Sequence, residues 1–243
     1  IGLISVLMTA CYDDYEKDYD KSMVYFASQK PLRTLVADTD MSIKVGVAIG
    51  GKSEVHTDDW ATFKIDPSLL DGTGLTLMPE SYYQLADSNK MTISNPNLAI
   101  ADVKVTFSDA FYDDNDALGK HYAIPFRLVD HNQDEVSTDV NGQLKDYSIV
   151  VVKFVSQYHG TYFVKGKVTN LSTQQVTEYS NKDLSRNITR DFVSLGRNKV
   201  RRPGFGQTLE SNESVNLTVN PDGSVSIEAG GSVAITDASA TLD

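Results

Sequence analysis

Three groups of residues have the types and spacing to do chemistry. Gly46 to Ser53, "GVAIGGKS", satisfies the phosphate-loop pattern of a glycine, four residues, then Gly-Lys-Ser. Such a loop works only where it ends a strand and opens a helix whose amides and dipole face the phosphate. Here Val47 and Ile49 continue the alternation of the preceding strand, and "EVHTDDW" has no helical apolar repeat, so a strand end and turn is the better reading. Asp130, Asn132 and Asp134 have the spacing of the first three oxygen ligands of a calcium loop. The glycine such a loop needs is replaced by Glu135 and the last acidic position by Asn141, which favours a solvated turn. The third group is aromatic. Sugar rings present flat C–H faces that stack on Trp and Tyr while nearby amides and carboxylates take the hydroxyls. Trp60, Tyr82, Tyr83 and Tyr112 lie in or beside expected loops and are the glycan-binding candidates, each weighed against a place in the core.

Catalytic constellations are not legible. His56, His121, His131 and His159 lie far apart without metal-ligand spacing, and no serine sits in a nucleophile elbow. With 33 acidic residues, any chosen pair of carboxylates is uninformative. The expectation is a protein that is not an enzyme and carries no cofactor. A formal charge of −11 repels polyphosphates, so nucleic acid is set aside. The one basic cluster, Arg197, Lys199, Arg201 and Arg202, is short and has only Phe205 beside it, so it reads as a solvated loop.

The single cysteine, Cys11, cannot close an internal disulfide. It follows ten uncharged residues and precedes "YDDYEKDYD"; Asp13 interrupts the apolar run too early for a spanning helix, which needs ~20 residues. "LMTAC", Leu7 to Cys11, resembles a bacterial lipobox, with Met8 looser than the usual leucine and Thr9 and Ala10 fitting. That resemblance implies cleavage before Cys11 and lipidation of its sulfur and new amino terminus, with several acyl chains making the anchor durable. The initiator Met and a basic leader are then expected upstream of Ile1, residues 1–10 are a signal-peptide remnant, and 11–22 form a lipidated acidic tether. The acidic run resembles the signal that exports Bacteroidetes lipoproteins to the outer face of the outer membrane.

Beyond Lys21 the chain reads as strands. "SIKVGVAI" and "ADVKVTF" alternate apolar and polar residues with a period of two, which marks strands with one buried face. "HYAIPFRL" presents Tyr122, Ile124, Phe126 and Leu128, and Pro125, lacking an amide donor, suggests an edge strand or a bulge. "YSIVVVKFV" is apolar on both faces and reads as a central strand. "IDPSLLDG" allows one helical turn, with Asp66 as cap, Pro67 at the first position and Gly72 as stop. "ESVNLTVNPDGSVSIEAG" reads as a hairpin turning at "NPDG". The expected fold is all-β: an antiparallel sandwich over 23–155, then a small β-domain over 156–243, expected to be truncated because a small open sheet leaves bare edges.

The order "VYFASQKPLRTLVADTD", "SIKVGVAIGG", "DWATFKIDPSLL", "LMPESYYQLADSNKMTISNPNLAIADVKVTF" and "KHYAIPFRLVD" resembles a Bacteroidetes domain of unknown function, the DUF1735 type, found at the amino terminus of certain surface endoglycosidases. The resemblance covers roughly Met23 to Val155 and implies an immunoglobulin-like β-sandwich. Gly160 and Tyr162 of "HGTYFVKG" match the "G-x-Y" strand that opens a second small β-domain in some members. The residues after Val155 are too few for a catalytic barrel, which needs ~250 residues. The implied protein is a noncatalytic lipoprotein of the outer-membrane surface that binds a glycan or oligosaccharide, within a polysaccharide-utilisation system, beside an outer-membrane glycan transporter pair. The alternatives are a fimbrial or adhesin-type structural lipoprotein, for which Arg33 is the nearest candidate processing site, and the accessory domains of a glycoside hydrolase.

Overall fold

The computed structural model describes residues 21–39, 41–52, 54–204, 213–232 and 234–242. Among them, eleven strands share one sheet. They are β1 (Met23–Tyr25), β2 (Leu32–Val36), β3 (Ser42–Gly50), β4 (Trp60–Ile65), β5 (Thr76–Leu77), β6 (Tyr83–Leu85), β7 (Lys90–Ile93), β8 (Ile100–Phe107), β9 (Tyr122–His131), β10 (Glu135–Val136) and β11 (Tyr147–Val155). Their order is β10-β1-β3-β8-β7-β4-β9-β11-β2, with β5 beside β9 and β6 beside β8. A second sheet runs β12-β15-β16-β17-β18, made of β12 (Gly160–Val164), β15 (Ile188–Ser194), β16 (Lys199–Pro203), β17 (Ser214–Val219) and β18 (Val225–Ala229). Strands β13 (Gly166–Thr169) and β14 (Val176–Tyr179) pair separately. The fold is all-β, an immunoglobulin-type sandwich whose strands form one large sheet, in which β1 and β10 pair in parallel, and smaller sheets later in the sequence.

Contacts divide the chain into two compact units, neither a single run of sequence. The first holds the described residues up to Arg33 with 42–106 and 123–151; the second holds 34–41, 107–122 and the described residues from Val152 onward.

The period of two in the sequence is realised in the first unit. Val45, Val47 and Ile49 of β3 and Ala101, Val103 and Val105 of β8 are buried, while Lys44 and Lys104 between them are exposed. Gly46 faces Asp102 across this pair, and a Cβ there would lie 2.5 Å from the Ala101 carbonyl oxygen, so the strands approach through the missing side chain. The single turn at Pro67–Leu70 is capped by Asp66, whose side chain accepts from the Ser68 amide at 3.2 Å.

Pro125 does not mark an edge. Strand β9 is interior, flanked by β4 and β11, and Ala123, Ile124, Pro125 and Phe126 are all buried. The register with β4 begins at Phe126 opposite Ile65, past the proline, and the Pro125 carbonyl accepts from the Asp66 amide at 2.9 Å. The irregularity falls four residues later: Thr62 pairs with Asp130 but Phe63 with Leu128, leaving Val129 bulged and 62% exposed.

The second unit has its own core. Helix α1 (Asp109–Asp113) turns Phe111 and Tyr112 inward, and both rings pack edge-on against Phe154 with centroids 5.7 and 5.4 Å away. The β17–β18 hairpin turns at Asn220–Gly223 as its sequence requires, with Gly223 at φ 82 and Val219 facing Val225. The basic cluster is not a solvated loop. Lys199–Pro203 is strand β16, paired with β17 over five positions, and Arg202 is half-buried on it. The alternation of Val200 with its charged neighbours buries Val200 and carries the arginines into the sheet.

Candidate functional site: a polar cleft in the second unit

Among the described residues, three clefts stand out as large enough for a small ligand. One in the second unit, about 480 Å³, is walled by Val215, Leu217, Ile227 and Ile235 and is mainly apolar. One in the first unit, about 470 Å³, is lined by Lys52, Glu54, His56 and Asn97 and has no Tyr or Trp. The remaining cleft, about 470 Å³, lies wholly within the second unit. It combines Tyr158 with Asp38, Asp113, Gln157, Arg197, Asn198 and Asn220, and its far wall is Val219, Pro221, Gly223 and Leu242.

Asp113 ends α1, and four of the other side chains are placed by turns. Asp38 sits just after β2 with φ 62, a left-handed conformation that aspartate tolerates better than most residues. The turn is tied by Thr39, whose hydroxyl donates to the Val36 carbonyl at 2.8 Å. Arg197 lies in the tight turn between β15 and β16, where the Leu195 and Gly196 amides both donate to the Lys199 carbonyl. Tyr158 lies in the turn between β11 and β12, its amide donating to Ser156 Oγ and its carbonyl accepting from the Tyr162 hydroxyl at 3.0 Å. Asn220 opens the hairpin turn and donates from Nδ2 to Ser224 Oγ and Ser226 Oγ.

Arg197 is the centre of the arrangement. Its Nε and Nη2 donate to Asp38 Oδ1 at 2.9 and 2.6 Å, and its Nη1 lies 2.9 Å from Asp109 Oδ1 and 3.5 Å from Asp113 Oδ1. The guanidinium carbon sits 5.7 Å from the centre of the Tyr112 ring, within cation–π range. The bonds to Asp38 outweigh burial and push the guanidinium pKa further up, so it stays charged. Asp38 and Asp113 beside one fixed cation, with the Gln157 and Asn198 amides, the Asn220 side-chain oxygen and a half-buried tyrosine, offer acceptors, donors and an aromatic face. That set suits a polyhydroxylated ligand.

The aromatic candidates do not form one site, since Tyr112 belongs to the second unit and the other three to the first. Tyr112 is fully buried, in contact with Phe111 and Phe154; no ligand reaches its ring, and it is withdrawn as a stacking residue. Trp60 opens β4 half-buried, with the Lys90 ammonium 5.4 Å from its ring centre. Tyr82 and Tyr83 are half-buried where a single turn meets β6, and burial, aided by Glu80, pushes the Tyr83 phenol up.

The calcium-like triple acts as a set of protein clamps instead. Asn132 Oδ1 accepts from the Trp60 amide at 2.9 Å, Asp134 Oδ2 accepts from the amide and hydroxyl of Ser22 at 2.7 and 2.8 Å, and Asp130 Oδ1 accepts from the His131 amide. Those oxygens are turned to backbone and hydroxyl donors rather than to a common centre, and the triple is withdrawn as a metal site. Among the described residues no three His, Cys, Asp or Glu side chains gather as a cation site. His131 Nδ1 meets the Gln133 carbonyl and His159 Nδ1 accepts from the Ser194 amide, so both serve local structure. The phosphate-loop pattern is strand β3 to Gly50 and a turn at Gly51, with no helix at its end. Cys11 lies outside the described residues. No helix among the described residues is long and apolar enough to cross a membrane.

Tyr158 and Asp38 had no signal in the sequence. Arg197 had only its place in the basic cluster, because the contact that defines it spans 159 positions.

Residues 19–135 match the family model of an N-terminal domain, endoglycosidase-like. The first unit resembles that domain. No curated protein matches the chain. Among solved structures, a Bacteroides ovatus protein of unknown function aligns with a TM-score of 0.72 at 22% identity, covering 86% of this chain and 78% of that one. That likeness shows the shared fold. A multidomain Bacteroides ovatus protein including DUF1735 aligns at TM-score 0.45 and 13% identity over 86% and 72% of the two chains. An endoglycosidase of Bacteroides thetaiotaomicron, solved with a Man5GlcNAc product, aligns at 0.38 and 16% over 64% and 45%. The matched residues take in most of the first unit and also 34–41 and 107–122 of the second, which carry Asp38 and Asp113 of the polar cleft; the rest of that cleft comes from residues beyond the match.

Proposed function

We propose that the protein is a noncatalytic glycan-binding lipoprotein whose cleft in the second unit holds an oligosaccharide. The observation that carries this is the juxtaposition of Tyr158 with carboxylate, guanidinium and amide groups in one cleft of about 470 Å³. Ligand pockets of this size pair an apolar surface with a few fixed polar groups. The groups here include both donors and acceptors, as hydroxyl recognition requires. The lipobox at Cys11 supports attachment to the outer membrane and the acidic run supports display at the cell surface. On this reading the protein holds glycan for a transporter pair of a polysaccharide-utilisation system.

A glycan array on the soluble chain beginning after Cys11 tests the binding. A hit should be lost in Tyr158→Ala and kept in Trp60→Ala. Loss in Trp60→Ala with retention in Tyr158→Ala moves the site to the first unit, and release of reducing ends from any hit refutes the noncatalytic reading. Mass spectrometry of the mature amino terminus in a Bacteroides host tests the anchor, which requires diacylglycerol on Cys11.

A further inference from the structure

The charges in the cleft are unevenly committed. Both Asp38 bonds from Arg197 fall on Oδ1, and the same guanidinium spends its Nη1 on Asp109 and Asp113. All three nitrogens of the one cation in the lining are therefore directed at carboxylates of the protein itself. Asp113 and Asp109 are 68% and 74% exposed, and Asp113 touches the guanidinium only at 3.5 Å. Asp222 stands between the lining residues Pro221 and Gly223, its Oδ1 accepting from the Ser224 amide and hydroxyl. The lining itself holds two carboxylates, Asp38 and Asp113, to one guanidinium, with Asp109 bonded to that guanidinium and Asp222 next in sequence to two lining residues. An arginine in a sugar site ordinarily reads as a carboxylate or sulfate receptor, because its planar fork matches those anions. Here each of its three nitrogens already faces a carboxylate of the protein.

Resting on the glycan-binding reading above, we infer that the cleft selects by charge: it takes uncharged oligosaccharides and rejects those bearing uronate or sulfate. Arg197 is an internal counter-ion, not an anion receptor. It fixes Asp38 and leaves Asp113 as the acceptor for ligand hydroxyls. An incoming anion meets a site with a net negative charge and a cation whose three nitrogens already face protein carboxylates, and it cannot displace Asp38 without leaving that carboxylate unpaired. A neutral sugar meets no such opposition, since hydroxyls donate to carboxylates and accept from amides.

The test is calorimetric titration of the soluble full chain with matched neutral and uronate-bearing oligosaccharides, at low and physiological salt. The expected result is at least a roughly tenfold preference for the neutral member, about 1.4 kcal/mol, that narrows as salt screens the site. Asp113→Asn, an exposed change that preserves shape, should narrow the preference further by admitting the uronate. If uronates bind as well as or better than neutral sugars and Tyr158→Ala abolishes that binding, the charge rule is overturned while the cleft remains the site. If neither class responds to Tyr158→Ala, the glycan reading of the cleft fails and this inference with it. If the preference exists but is unchanged in Asp113→Asn and in salt, its origin is not this charge cluster and the inference is overturned.

Discussion

Arg197→Ala should cost the second unit about 3 kcal/mol, a figure set by the one pair that is both short and sheltered. Arg197 and Asp38 are 23% and 28% exposed. That is too open for the ~3–5 kcal/mol of breaking a fully buried pair, and too sheltered for the ~0–1 kcal/mol of a surface one. Hydrogen bonds to charged groups are worth ~1.5–3 kcal/mol each, and because the two from Arg197 share one oxygen they do not add in full. The exposed Asp109 and Asp113 contribute less than ~1 kcal/mol between them. With a urea slope of ~1.5 kcal/mol per molar, the midpoint should fall by ~2 M. Arg197→Lys should recover less than half of the loss, since an ammonium keeps the charge without the fork. The assay needs two probes. The only tryptophan, Trp60, belongs to the first unit and reports that unit; tyrosines lie in both, so the second unit is read from the part of the tyrosine near-ultraviolet dichroism transition that does not follow Trp60. A shift of less than ~0.3 M in the dichroism-reported midpoint for Arg197→Ala would refute the reasoning.

Three further outcomes follow from the geometry. Gly46→Ala should destabilise the first unit by roughly 1–3 kcal/mol in urea melts followed at Trp60, because its Cβ would sit 2.5 Å from the Ala101 carbonyl and 2.9 Å from Asp102 Cβ. Asp59 is 5% exposed in its side chain and is bonded by Lys52 at 2.7 Å, the His56 amide at 2.9 Å and Gln133 at 2.9 Å. Burial alone would raise its carboxyl, yet these donors hold it below the usual range. Its stabilisation is therefore complete above the ordinary carboxylate pKa of ~3.9 and is lost as pH falls through the lower folded value. Asp59→Asn should cost about 1–3 kcal/mol at pH 7, and its gap to wild type should close as pH falls below the ordinary carboxylate range, as read from paired urea melts. Tyr112→Ala should lower the stability of the second unit by ~3–5 kcal/mol through the cavity it leaves against Phe111 and Phe154. A variant that kept full stability but lost ligand would return Tyr112 to the binding surface.

Strands whose two faces differ were legible because a period of two survives any tertiary context: β3, β8 and the β17–β18 hairpin lie where their alternation put them. Strand β9 was recognisable as a strand but not as an interior one. A proline forbids a single donor, and here the ladder to β4 starts one residue after it. The cleft was illegible for a different reason. Asp38, Tyr158 and Arg197 each occupy an irregular turn, so no periodicity announces them, and their meeting depends on contacts between segments far apart in sequence. Tyr112 shows the converse failure: its acidic neighbours suggested a loop, but Phe111 beside it and Phe154 make a core into which its ring fits.

One wall of the cleft is the tip of a hairpin, and that divides heredity from novelty. Five facing pairs from Val215–Ala229 to Val219–Val225 fix the arms of β17 and β18, whereas Pro221 and Asp222 at the tip face no strand. Insertions and substitutions at such tips leave the sheet intact. A lineage, or an engineer shuffling loop libraries, can therefore rewrite what the cleft prefers by changing a handful of codons at the tip, on an inherited frame that never has to be renegotiated.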